Sequence, residues 1–408
     1  MEQKKRTIWC ISKYASPPKY GVGARLFYVA REFSKLGVDT LLISSDSNHL
    51  AKYPDSNEIY NSEQFGKMKH VWIKTKKYTK SASLKRFLSW FDFEKKLFRL
   101  PRDRYTKPDI VIVSSLSIFT IVYGVYLKSK YKCRLVFEIR DIYPLTLTEE
   151  FGVSKYNPMV IFLGILEKFG YRRADLIVGT MPNLKQHVCE KIGKEQDVYY
   201  SPLGIHERWF RKMPPAKEEI DRLFPAEEKF IVGYAGSMGT SNALHSFVEA
   251  IKKMAANKEV HFVLVGAGDL KEEFKKELTT YDNVTIGPKI DQDDVPYFLS
   301  KCDILYLAAH DSKIWEYGQS LNKLIDYMMA GKPVVASYGG YQSMLNEANA
   351  GVFIPTNDDE AIVRAIEHYN SLDQSERIAC GARGRKWIEE HHKYENIARN
   401  YYNKLMEL

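Results

Sequence analysis

Short runs dense in Val, Ile and Leu recur along the chain, separated by stretches whose apolar residues fall at helical spacing. In the first half these runs are RTIWCIS, DTLLISS, DIVIVSS, RLVFEI, ADLIVGT and DVYYSPLG, with a helix predicted from about Arg25 to Leu36. Strands apolar on both sides belong to parallel sheets covered on two faces. The second half repeats the logic with KFIVGYAG, VHFVLVGAG, VTIGPKI, DILYLAA, PVVAS and GVFI. The pattern therefore predicts an α/β chain of two doubly wound parallel-sheet domains. Residues 206 to 229 hold three prolines among dense charge and read as the junction. The expected division is a domain at 1–205, a linker at 206–228, a domain at 229–390 and a C-terminal helix at 391–408 that crosses back to the first domain.

A length of 408 residues suits two cores rather than one, and 45% apolar content without low-complexity tracts excludes a disordered chain. Ile110 to Leu127 runs 18 residues without a charge, near the lower bound for a membrane span. Its β-branched start after KPD and the following SIFTIVYGVYLKSK fit a strand and then a helix. Five scattered cysteines without a CxxC pair, behind a charged and then strand-like N-terminus, suggest a reducing, cytoplasmic chain with no zinc site.

Charge changes the picture. Lys and Arg outnumber Asp and Glu by 35 to 20 in residues 1 to 205, but are outnumbered 25 to 31 in the remainder, so the overall +9 hides about +15 and −6. Only the first domain is expected to meet an anionic partner. Phe65 to Lys107 carries 14 basic residues against three acids, with aromatics interleaved. Lys85, Arg86, Trp90, Phe91, Lys95 and Lys96 mark it as a candidate helix in a membrane interface, with packing on its own domain as the alternative. Nucleic acid is not expected, because no recognition motif accompanies the charge.

Three loops fall where such sheets bind ligands, at the carboxyl ends of strands. In SPPKYGVGARLF, Gly21 and Gly23 allow a ligand to approach the backbone, and Arg25 opens the next helix. GYAGSMGTSNAL, with Gly236, Ser237 and Asn242, and VGAGDL superficially fit a dinucleotide pattern, but no ribose-binding acid follows at the required distance, which argues against a dehydrogenase. In YGQSLNKLIDYMMAGKPVVAS a polar start precedes an apolar helix. Gln319, Ser320, Asn322 and Lys323 gather at its N-terminal turn, where free amides, the helix dipole and an ammonium suit a diphosphate. Asp326 lies one turn on, able to reach a ribose diol or to stand in solvent.

The ordered set KYGVGAR, EIRDIYP, ADLIVGT, SPLGI, GYAGSMGTSNAL, LVGAGDL, VTIGPKI and NKLIDYMMAGKPVVAS resembles retaining glycosyltransferases of family 4, with the GT-B arrangement of two facing Rossmann-like domains. The branch most similar builds bacterial O-antigen and capsule units. The resemblance implies transfer of a sugar, with retention, from a nucleotide diphosphate to a lipid-pyrophosphate-linked acceptor of undecaprenyl type. It implies no metal or cofactor, and a peripheral place on the inner face of the cytoplasmic membrane. UDP carrying an N-acetylated hexose or a 6-deoxyhexose is the donor this branch suggests.

The sequence also departs from the family. Of two glutamates expected eight positions apart, the first falls on Gly318 and the second is Asp326, with Glu316 two residues out of register. The usual Arg and Lys after the second-domain AG are replaced by Ser237 and Asn242, which leaves Lys323, Lys289 or Arg140 to supply positive charge. Where a His is common after the fourth strand stand Arg140 and Asp141, candidates with Glu138 for positioning acceptor or sugar hydroxyls; Glu138 and Asp141 have an alternative role in salt bridges. Two other functions stay open: a nucleotide-sugar 2-epimerase of the same fold, and a non-catalytic nucleotide-sugar-binding scaffold.

Overall fold

The structure is a computed structural model that describes residues 6–21, 24–47, 52, 54, 57–78, 84–115, 117–213 and 215–408. The chain divides into two compact units, Met1–Leu203 with Tyr394–Leu408, and Gly204–Lys393.

The first unit contains β1 (Thr7–Ile11), α1 (Ala24–Lys35), β2 (Asp39–Ser45), β3 (Tyr60–Phe65), β4 (Met68–Ile73), α2 (Leu84–Phe98), β5 (Ile110–Ser114), α3 (Thr120–Tyr131) and β6 (Arg134–Ile139). It continues with α4 (Leu145–Glu149), α5 (Pro158–Arg173), β7 (Leu176–Gly179), α6 (Leu184–Ile192) and β8 (Val198–Tyr200). Its eight strands form one sheet in the order β3-β4-β2-β1-β5-β6-β7-β8, parallel except for β3. The central strand β1 is buried along its whole length, as expected when both faces are covered. The uncharged run from Ile110 splits into β5 and α3. The basic segment divides too: its beginning forms β4, whose partner β3 closes the edge in antiparallel register.

The second unit contains α7 (Glu218–Asp221), β9 (Phe230–Ala235), α8 (His245–Lys253), β10 (Val260–Val265), α9 (Lys271–Glu277), β11 (Val284–Gly287), α10 (Val295–Ser300) and β12 (Ile304–Ala308). Then come α11 (Asn322–Met329), β13 (Val334–Ser337), β14 (Gly351–Ile354), α12 (Asp359–Ser371) and α13 (Gln374–His391). Six parallel strands run in the order β11-β10-β9-β12-β13-β14, so the order reverses beside β9. That reversal is where an open α/β sheet offers a ligand crevice. Asp358 caps α12 by accepting from Ala361 N at 2.8 Å, and Asp373 with Glu376 forms a capping box on α13.

The last helix, α14 (Tyr394–Met406), belongs to the first unit and lies on α1. Tyr394 meets Tyr28 at a ring-centroid distance of 4.6 Å, and Tyr401 meets Phe33 at 5.7 Å and Tyr199 at 5.9 Å.

Candidate functional site

In the second unit the loops after β9 and β10 pack backbone against backbone. A Cβ on Gly266 would stand 1.8 Å from the Gly236 carbonyl oxygen, and one on Gly268 would stand 2.2 Å from that of Met238. Only glycine permits such an approach. Gly236 N donates to Val265 O at 3.0 Å and Met238 N to Ala267 O at 2.9 Å, which fixes the two loops together. Lys271 Nζ reaches the carbonyls of Gly266 at 2.9 Å and Gly287 at 2.6 Å, adding the loop after β11 to the cluster.

Against these loops stands the start of α11. Leu321 is extended, and its N–H is accepted by Gln319 Oε1 at 3.2 Å; Gln319 itself is buried, with its amide on Met344 Sδ at 3.5 Å. Ser320 is half-buried and Asn322 exposed. Leu324, Ile325, Tyr327, Met328 and Met329 are buried beneath and hold the helix on the sheet. Tyr327 Oη accepts from Ala235 N at 2.9 Å and donates to Ala235 O at 3.3 Å, tying the helix to the end of β9.

Lys323 is the centre of this arrangement. Its ammonium donates to Tyr234 Oη at 3.0 Å and Asn242 Oδ1 at 2.9 Å, and it sits 4.5 Å from the centroid of the Tyr234 ring. Tyr234 Oη in turn donates to Ser237 O at 2.6 Å. A Cβ on Gly236 would come within 2.7 Å of Lys323 Cε and Nζ, so this glycine makes the space that the ammonium occupies. Among the described residues no carboxylate stands within ion-pair distance of Lys323, and burial lowers its pKa to about 8. A cation held by neutral oxygens, with no counter-charge, at the start of a helix is poised for an anion.

Asp326 lies on the same helix but spends its carboxylate differently. Oδ2 accepts from Arg208 Nη2 at 2.6 Å and Oδ1 from Trp209 Nε1 at 2.6 Å. Burial raises its pKa, while Arg208 and Trp209 favour the ionised form. Arg208 and Trp209 belong to the segment whose prolines and charge read as linker. That segment folds onto the second unit, where Lys217 also pairs with Asp294 at 2.5 Å and Lys301 with Asp221 at 2.6 Å. Ser237 and Lys289 are exposed beside the site, Lys289 in the loop after β11.

In the first unit Arg25 and Glu138 are drawn together inside the sheet. Arg25 Nη1 donates to Glu138 Oε2 at 2.5 Å, Nη2 to Ser201 O and Oγ at 2.8 Å, and Nε to Pro202 O at 3.1 Å; both side chains are essentially inaccessible. Ser114 Oγ donates to the other Glu138 oxygen at 2.8 Å. Arg25 thus pins the loop after β8 to β6. Gly21 turns with φ 112°, as its position after a tight turn requires, while Gly23 lies outside the described residues.

Arg140 and Asp141 stand at the carboxyl end of β6. Arg140 N donates to Ser115 Oγ at 2.9 Å, and its Nε and Nη1 are shielded from solvent with no hydrogen-bond partner among the described residues. Burial raises the Asp141 pKa, opposed by Arg140 and by Arg86, which arrives from α2. Tyr14 Oη gathers Trp90 Nε1 at 2.6 Å and Arg86 Nε at 3.1 Å. Beside them Lys13 is buried at the end of β1, donating to Ser47 O at 3.1 Å, and burial lowers its pKa to about 7. Of the six residues proposed for membrane contact, Trp90 and Arg86 therefore face this network, and Lys96 pairs with Asp92 at 2.9 Å. Lys85, Phe91 and Lys95 are exposed.

Sequence reasoning missed Tyr234, Tyr327, Arg208, Trp209 and Lys13. Tyr234 and Lys13 are visible only as residues at strand ends, and the Arg208–Asp326 pair joins positions too distant for any spacing rule.

Residues 229–370 match the family described as Glycosyl transferases group 1. Over 230 residues the chain is 19% identical to a GDP-mannose-dependent alpha-(1-6)-phosphatidylinositol monomannoside mannosyltransferase of Mycobacterium tuberculosis; the match covers 55% of this chain and 60% of that relative's length. Sucrose-phosphate synthase from Thermosynechococcus elongatus superposes with TM-score 0.73 at 18% identity, covering 99% of this chain and all of the other. Anabaena HepE in complex with UDP superposes with TM-score 0.67 at 13% identity, covering 99% of this chain and 100% of its own. The fold is GT-B, built from two Rossmann-like parallel-sheet domains.

Proposed function

We propose that the protein is a retaining glycosyltransferase of family 4, in the O-antigen and capsule branch. It moves a sugar from a nucleotide diphosphate donor, a UDP-linked N-acetylated hexose or 6-deoxyhexose, to a lipid-pyrophosphate-linked acceptor at the inner face of the cytoplasmic membrane. The observation that carries the reading is the uncompensated Lys323 ammonium, held by Tyr234 and Asn242 at the start of α11. The match of residues 229–370 to group 1 glycosyl transferases falls on the unit that contains it.

As the glycosidic bond breaks, negative charge builds on the departing diphosphate. Lys323 and the free amides at the start of α11 stabilise it where it develops. Arg140, at the carboxyl end of β6 with two shielded and unpartnered nitrogens, is a second cation suited to an anionic group of a substrate. The departing phosphate takes the proton of the attacking acceptor hydroxyl on the face it leaves, so retention needs no protein nucleophile and no metal. Asp141 positions the acceptor, while Glu138 acts through its buried pair with Arg25. The mycobacterial relative's name specifies GDP-mannose and HepE was solved with UDP, so the base is a matter for direct test.

A thermal-shift panel of UDP, GDP, ADP and their sugars tests the reading, because a ligand that binds only the folded state raises its melting temperature. UDP and a UDP-sugar are expected to stabilise selectively. Lys323→Ala is expected to weaken that binding by about ten- to a hundredfold, the worth of a charge-assisted hydrogen bond. Unchanged binding and turnover in this variant would remove Lys323 from the site. Donor incubated alone separates the epimerase, which would produce an epimer without acceptor.

A further inference from the structure

We propose that the face formed by α2, α3 and α5 of the first unit docks on an anionic lipid bilayer, with Ile161, Phe162 and Ile165 of α5 entering the acyl boundary. The proposal rests on the membrane-peripheral part of the reading above and is independent of the donor assignment.

α5 buries Val160, Leu163, Leu166 and Tyr171 against its own domain. Its opposite side should then be polar, as on an ordinary surface helix. Instead Ile161, Phe162 and Ile165 are 51%, 48% and 61% exposed. They share one helical face with exposed Pro158 before them and with Lys168 and Arg172 after them. One half of the face is apolar and the other basic, as on a helix lying in a membrane interface.

The apolar band continues across neighbouring helices. The exposed Phe91 of α2 lies 5.0 Å from the Phe119 ring, and Phe119 lies 6.1 Å from Phe162. Leu88 on α2 and Val122 on α3 are exposed as well. Scattered apolar residues on a surface are ordinary, but a contiguous band marks a contact site.

Charge identifies the occupant. Among the described residues of α2, α3 and α5, the exposed charged side chains are Lys85, Lys95, Lys130, Lys168, Arg172 and Arg173, all cations. Glu94 and Glu167 are buried, and Asp92 pairs with Lys96. Protein interfaces are depleted in lysine, whereas an anionic headgroup layer attracts a basic rim around an inserted apolar strip. At 16 residues, α5 is too short to cross a bilayer and must lie along it.

The test is sedimentation of the full chain with phosphatidylcholine vesicles, with and without phosphatidylglycerol. Binding is expected to the phosphatidylglycerol vesicles and to fall with salt. Ile161→Ser/Phe162→Ser/Ile165→Ser is expected to weaken it at least about tenfold, and Lys168→Gln/Arg172→Gln about tenfold with loss of much of the salt dependence. Both variants change exposed side chains, so melting temperature and stabilisation by UDP should stay as in the wild type. Equal partitioning of wild type and the triple variant would overturn the proposal, as would absence of wild-type binding. Self-association of the wild type in solution, abolished by the triple variant, would assign the face to a second copy and also overturn it. Nucleotide stabilisation retained through any of these failures would leave the donor reading standing.

Discussion

Lys323 makes opposite demands on pH for ligand binding and for stability. Burial lowers its pKa from 10.5 to about 8, so the unfolded chain holds more protons than the folded one between those values. Stability contributed by this group therefore rises with pH across that window. Affinity for a diphosphate runs the other way, because deprotonation removes the cation that meets it. We expect UDP binding to weaken as pH rises above about 8 while the unliganded protein gains stability, and Lys323→Met to remove both trends. Titration calorimetry and thermal melts over this range check the two slopes. The sequence exposed Lys323 because it sits in the first turn of a strongly apolar helix. It did not expose Tyr234, whose ring and hydroxyl hold the ammonium, because that contact joins the end of β9 to the start of α11 through the fold. Asp326 shows the converse: its spacing from Lys323 was legible, but its partners Arg208 and Trp209 lie more than a hundred residues away.

At the scale of elements, α2 illustrates how an amphipathic pattern leaves its partner undecided. Its aromatics and leucines at helical spacing suit either a bilayer or a protein core, and the structure buries one side of the helix while leaving the other exposed. Phe93 and Leu97 are fully buried while Phe91 faces out. The helix is joined to α3 through Glu94, whose carboxyl accepts from Thr120 Oγ1 at 2.6 Å and Ser117 Oγ at 3.5 Å. Burial nevertheless raises its pKa to about 8 against those hydrogen bonds. The folded state thus keeps a proton that the unfolded state releases near 4.5, and the contribution of this group to stability falls as pH rises from 4.5 towards 8. Glu94→Gln keeps a neutral acceptor for Thr120 and has no proton to lose. Its melting temperature is expected to gain on the wild type progressively over that interval; a constant difference would mean that Glu94 is ionised in the fold. α5 carries apolar residues on both sides, Val160, Leu163 and Leu166 buried and Ile161, Phe162 and Ile165 exposed, a division that periodicity alone does not reveal.

For the whole molecule, the alternation of apolar strands and helices was enough to give two parallel-sheet domains, because a strand covered on both faces has little choice of residue. The edge was less legible: β3, Tyr60–Phe65, is short and polar, with burial on no strict alternation, so nothing in YNSEQF announces a strand. The C-terminal helix α14 is held in the first unit by its apolar face, with Ile397, Ala398, Tyr401 and Leu405 buried. Burying three large side chains of this kind contributes about 5 to 9 kcal/mol, against a total domain stability of about 5 to 15 kcal/mol. A chain ending at Lys393 is therefore expected to lose the cooperative folding of its first unit, with Phe33 and Tyr199 stripped of their cover. The second unit carries its own sheet, its own core and the Lys323 site, and is expected to keep stabilisation by UDP. Limited proteolysis followed by mass analysis distinguishes the outcomes: cleavage concentrated before residue 204, with a protected fragment spanning 204–393, supports the assignment of α14. Protection of both units in the shortened chain would show that the first sheet is stable without its last helix.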